Sequence, residues 1–250
     1  MRTGTEEKAE AQEGGGPEGG DEPPSVVLGN SRAALLRHVD LSPEEYAHSF
    51  GWQVLHAAYL AGGGALFILS STIYFFEYSD LRSAIAAGGY TVGSVAFFVV
   101  DSLELATAES GTFIATNVCI SLMGSLCYVW GSAAYIPSIY AAFPWLGNLG
   151  FVMGSFLIFV SQLWKIYRIG QSPEAASGIW ADTDARSATC VELGACIGSL
   201  CFLVGTTMLW FGDLDPTGIF TVYLIWMLGS ICFTMGGCFL MHRHFALKLV

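Results

Sequence analysis

The chain has 250 residues, 53% of them hydrophobic and 12% charged, with a formal net charge of −11. A soluble domain carries about 25% charged residues, so the composition excludes an ordinary soluble globular protein. The acidity is local: Glu6, Glu7, Glu10, Glu13, Glu18, Asp21 and Glu22 crowd the first 22 residues among Gly and Pro.

In chain order, residues 1–30 are too poor in apolar side chains to bury a core and are expected to be a disordered acidic tail. No apolar run lies near Met1, which argues against a cleavable leader. Residues 31–51 form a cytosolic or interfacial segment. Within it, 31–41 suits an amphipathic helix with Leu35, Leu36 and Val39 inward. Ser42-Pro-Glu-Glu45 resembles a capping box with Pro at the first helical position.

Beyond that point, no Asp, Glu, Lys or Arg occurs at 51–76, 83–100, 110–164, 193–212 or 216–241. A helix needs about 20 mostly apolar residues to cross a hydrocarbon core of about 30 Å. The 110–164 run is too long for one span, and Pro137 and Pro144 divide it by interrupting the helix ladder. The expected spans are 52–76, 84–104, 112–136, 145–167, 190–211 and 217–241. They pair into helical hairpins at 52–108, 109–170 and 190–250, with a loop at 171–189. The fold class is an all-α polytopic membrane protein with about six spans.

Lys and Arg set the orientation. With six spans, one face carries Arg2, Lys8, Arg32, Arg37, Lys165, Arg168, Arg186, Arg243 and Lys248, and the other carries only Arg82. The positive-inside rule then places both termini in the cytosol. Trp52, Trp145, Trp164 and Trp210 fall near span ends, as interfacial aromatics do, whereas Trp130 and Trp226 are expected inside the bundle.

The hairpins repeat one pattern. Gly63-Gly-Ala-Leu-Phe-Ile-Leu-Ser-Ser-Thr-Ile-Tyr74, Gly124-Ser-Leu-Cys-Tyr-Val-Trp-Gly-Ser-Ala-Ala-Tyr135 and Gly198-Ser-Leu-Cys-Phe-Leu-Val-Gly-Thr-Thr-Met-Leu209 each carry an aromatic four residues after the first Gly. A second Gly-Ser helix follows at Gly93, Gly154 and Gly229, at spacings of 30, 30 and 31 residues. Spans in lipid associate by close packing through small residues. Gly63, Gly93, Gly124, Gly131, Gly154, Gly198, Gly205 and Gly229 are therefore the expected helix-packing positions.

A helix with Gly-Ser-x-x-aromatic, a turn and a second Gly-Ser helix resembles the YrhK-like domain, a small two-helix membrane module. The resemblance covers 52–105, 112–168 and 190–245 as tandem copies. The middle copy, from Met123-Gly-Ser-Leu-Cys-Tyr through Phe151-Val-Met-Gly-Ser-Phe, matches best. It implies a fold and carries no activity onto any residue.

Catalytic signals are sparse. The seven cysteines form no C-x-x-C pair and no zinc-spaced cluster, and Cys190 is the one placed for acylation near the cytosolic interface. His242 and His244 at i,i+2 of a helix would point apart. No nucleophile elbow, P-loop or dinucleotide fingerprint sits in a fitting context. No enzyme activity, cofactor or metal is expected. The bases are too few and scattered for nucleic acid.

Ionisable groups near span ends are Asp101, Glu104, Lys165 and Glu192, with His56 further inside the first span. The first four read as interfacial charges, or else Asp101 and Glu192 line a cation vestibule; His56 reads as hydrogen-bonded to a neighbouring helix. Two function classes stay open. One is a non-catalytic scaffold, sensor or assembly subunit, partnered by the lipid bilayer and by a second copy or another membrane protein. The other is a passive channel or small-solute carrier with a pore at the repeat interface, lined by Ser71, Thr91, Ser125, Ser132, Ser199 and Thr206.

Overall fold

The computed structural model describes residues 49–108 and 111–248. The expected acidic tail, the 31–41 helix and the capping box at Ser42 lie outside them. Six long helices account for most of the described chain: α1 Phe50–Ile73, α2 Asp80–Thr107, α3 Phe113–Ala134, α5 Pro144–Gly170, α6 Thr183–Phe211 and α7 Pro216–Met241. A short α4, Pro137–Ala142, sits between α3 and α5. All six long helices are long and apolar enough to cross a membrane, and the protein is an integral, multi-pass membrane protein of three tandem helical hairpins.

Local chemistry sets the helix starts. Ser49, Ser79, Thr112, Asp182 and Asp215 each accept a hydrogen bond from a first-turn amide, which satisfies an otherwise orphaned donor. Pro137, Pro144 and Pro216 occupy first-turn positions, where a missing N–H costs nothing. Helix α6 starts at Thr183 rather than at residue 190. The Asp182 carboxylate caps the Ala185 amide at 2.9 Å, so the second half of the expected 171–189 loop is helical.

Each long helix packs between two others. Neighbours run α1, α2, α3, α5, α6 and α7, and α7 packs back on α1, so the six close into a ring. Leu69, Val92, Met123, Phe156, Leu228 and Met235 point outward, as a lipid-facing surface requires. The ring interior is filled. Phe67, Tyr128 and Phe202, from α1, α3 and α6, are each 0% exposed. Their ring centroids lie 6.1 Å (Phe67–Tyr128), 5.4 Å (Phe67–Phe202) and 6.2 Å (Tyr128–Phe202) apart. Tyr90, Phe97, Phe151, Trp226 and Phe233 pack around this triad.

The glycines sit where helices touch. A Cβ built on Gly63 would lie 3.0 Å from the Gly93 carbonyl oxygen, and one on Gly93 would lie 2.9 Å from the Gly63 oxygen. The same reciprocal contact joins Gly124 to Gly154 at 3.0 and 2.8 Å, and Gly198 to Gly229 at 3.0 Å both ways. A Cβ on Gly131 would lie 2.9 Å from Gly150 Cα, and one on Gly205 would lie 2.9 Å from the Trp226 indole. With these pairs in contact, the aromatics four residues on turn into the common axis, because i and i+4 share a helix face.

Candidate functional site

At the end of the bundle where α1 and α6 begin and α2, α5 and α7 finish, polar side chains converge. Lys165 on α5 is 6% exposed. Its ammonium donates to Glu104 Oε2 on α2 at 2.7 Å and lies 3.8 Å from Glu192 Oε2 on α6. His56 on α1 holds its Nε2 3.3 Å from Glu104 Oε1. Its Nδ1 lies 3.4 Å from Nε2 of His244. With both imidazoles protonated on Nε2, His244 donates to His56 and His56 donates to Glu104, which is one consistent tautomer set. Asp101, one turn before Glu104, accepts from the Ser125 hydroxyl of α3. Glu104 thus joins α1, α2 and α5 through one carboxylate.

These groups, with Arg168 and Arg243, border a cavity of about 520 Å³. Its apolar walls include Leu60, Val100, Val118 and Val191, and Phe97, Ile158 and Phe233 also border it. Phe97, Ile158 and Phe233 belong equally to the packed core, so they floor the cavity above the Phe67–Tyr128–Phe202 triad. A smaller recess of about 270 Å³ adjoins it, bordered by Arg168, Ser172, Asp184 and Arg243. There Arg243 donates to Asp184 Oδ1 at 2.7 Å.

The structure relocates several expected residues. Asp101, Glu104, Lys165, Glu192 and His56 form one cluster rather than separate interfacial charges, with Asp101, Lys165 and His56 buried and Glu104 and Glu192 half-buried; Asp101 and Glu192 both border the cavity. A charge held at membrane depth costs several kcal/mol unless paired, and the pairing across four helices supplies that compensation. His244 joins the cluster from the π-helical turn that follows α7, His242–Ala246, where it is buried against His56. Trp52, expected at the interface, is 6% exposed, with its ring centroid 4.4 Å from that of His56 and the planes tilted by 40°.

Of the hydroxyls expected to line a pore, Ser125 borders the cavity, while Ser132 and Ser71 lie in helix seams. Ser132 Oγ is 3.1 Å from Ser94 Oγ between α3 and α2. Ser71 Oγ is 2.6 Å from the Tyr90 hydroxyl and 2.8 Å from Ser230 Oγ between α1 and α7. Thr91 and Ser199 donate to carbonyls of their own helices, and Ser125 donates to Asp101. Thr206 is fully buried. The axis they would have lined is occupied by aromatic rings.

No protein-family model matches the chain, and no curated protein or solved structure matches it. The fold and the cluster define a class, a six-span helical membrane protein with a polar vestibule at one end.

Proposed function

We propose that the protein is a non-catalytic membrane sensor or assembly subunit built from three YrhK-like hairpins, with both termini and the vestibule facing the cytosol. The observation that carries this reading is the filled axis. Phe67, Tyr128 and Phe202 are fully buried against one another, so the vestibule is blind. A blind, charged vestibule holds a ligand and does not pass it on. The recurring glycine contacts support the three-module reading, and the Lys and Arg bias supports the orientation.

The test is flux through liposomes containing the purified protein, read with proton, potassium and halide dyes. Tight liposomes are expected. A leak that rises with protein density and changes on Ser132→Val would overturn the sensor reading in favour of a channel.

A further inference from the structure

The vestibule holds acceptors that the chain itself does not saturate. Asp101 is 6% exposed and accepts a hydrogen bond from the Ser125 hydroxyl of α3. Among the described residues it forms no ion pair. Glu192 has Lys165 at 3.8 Å, but that ammonium is already held by Glu104 at 2.7 Å. Gln162 on α5 is also 6% exposed, and its Oε1 is buried without a hydrogen-bond partner among the described residues. A buried acceptor left unmade costs the full desolvation of that group.

The carboxylates are unevenly paired. Three carboxylates, Asp101, Glu104 and Glu192, share one lysine, which lies within ion-pair distance of the last two. Arg243 is committed to Asp184. Arg168 also borders the cavity, from the last turn of α5, and its Nη1 is buried without a hydrogen-bond partner among the described residues.

The geometry points to a binding site for a small organic amine. Its ammonium sits among Asp101, Glu192 and Gln162, and its apolar body rests against Trp52, Phe97 and Phe233. An ammonium brings three donors and no acceptor, which suits carboxylate and amide oxygens. Aromatic faces attract a cation within about 6 Å. The volume also selects the class: about 520 Å³ with mainly apolar walls fits a drug-sized or smaller organic molecule. A bare alkali ion would need oxygen ligands on all sides. The site rests on the blind-vestibule reading, in which such a ligand is held and not transported.

Titration calorimetry on the purified full-length protein in detergent tests it, using benzylamine and cyclohexylmethylamine against benzyl alcohol and benzoate. Both amines should bind saturably, and the alcohol and the acid should not. Gln162→Leu and Glu192→Gln should each weaken amine binding by about tenfold, as expected for losing one hydrogen bond to a charged group. Asp101→Asn should do the same, and Gln162→Leu keeps the test decisive if that variant does not fold. Equal binding of benzyl alcohol overturns the proposal, as does amine binding unchanged in Gln162→Leu and Glu192→Gln, or no saturable amine binding. Amine binding in leaky liposomes would refute the sensor reading and leave this site standing; tight liposomes with no amine binding would do the reverse.

Discussion

Replacing Gly154 by alanine should separate seam glycines from incidental ones. Its new Cβ would lie 2.8 Å from the Gly124 carbonyl oxygen, 2.9 Å from Tyr128 Cδ1 and 3.2 Å from the Tyr128 amide nitrogen. Two of those atoms are backbone, so α3 and α5 must move apart for a single methyl. Overpacking of this kind costs about 1–3 kcal/mol. Against it stands the gain of about 1 kcal/mol that alanine brings over glycine inside a helix. At exposed Gly62 on α1 a Cβ meets nothing within 4 Å, so Gly62→Ala keeps the gain alone. The two variants should therefore differ by about 1–3 kcal/mol, the overpacking cost. Unfolding by SDS titration from mixed micelles, followed by circular dichroism, measures that difference. If Gly154→Ala proved as stable as Gly62→Ala, the close seam between α3 and α5 would be refuted.

Lys165→Met leaves Glu104 and Glu192 facing each other without their ammonium. It should destabilise by about 3–5 kcal/mol, the usual cost of breaking a buried pair from one side, and adding Glu104→Gln should recover part of that loss in the same titration. Phe202→Ala removes a fully buried ring from the axis. It should cost about 3–5 kcal/mol and, if the axis is the barrier, make the liposomes measurably leaky where the native protein is tight.

Much of the architecture is legible in the residues. Charge-free runs of span length mark the helices, Pro137 and Pro144 mark where the long run breaks, and the 30-residue interval between Gly124 and Gly154 anticipates which glycines meet. The cluster is harder to read. Asp101, Glu104, Lys165 and Glu192 each lie within a few turns of a helix end, where an isolated charge looks interfacial. Only the packing of α1, α2, α5 and α6 shows that they face one another, and His56 and His244 meet across 188 positions of chain. The pore residues were misplaced for a related reason. Small hydroxyls and aromatics alternate along the same helices, and sequence does not say which set turns to the axis. Bulk decides it: the large rings fill the wide centre, and Ser and Gly are left to the narrow seams. Trp130, expected inside, is only half-buried, while Trp52 is sealed in by His56. The start of α6 was missed because a Ser-, Ala- and Asp-rich stretch reads as loop unless Asp182 is recognised as a cap.

The account stands on the closure of α7 onto α1, because that contact makes the ring and leaves the axis to the aromatics. Ser71 and Ser230 meet across it with oxygens 2.8 Å apart. The double substitution Ser71→Cys with Ser230→Cys, in a background with the seven native cysteines replaced, places two sulfurs within reach of a disulfide. Oxidation in membranes followed by mass spectrometry is the most direct measurement. We expect an intramolecular disulfide between positions 71 and 230, formed as efficiently as a control link from Ser94→Cys with Ser132→Cys between α2 and α3. Formation of the control link without the first, in folded protein, would show that the ring is open and would contradict the account.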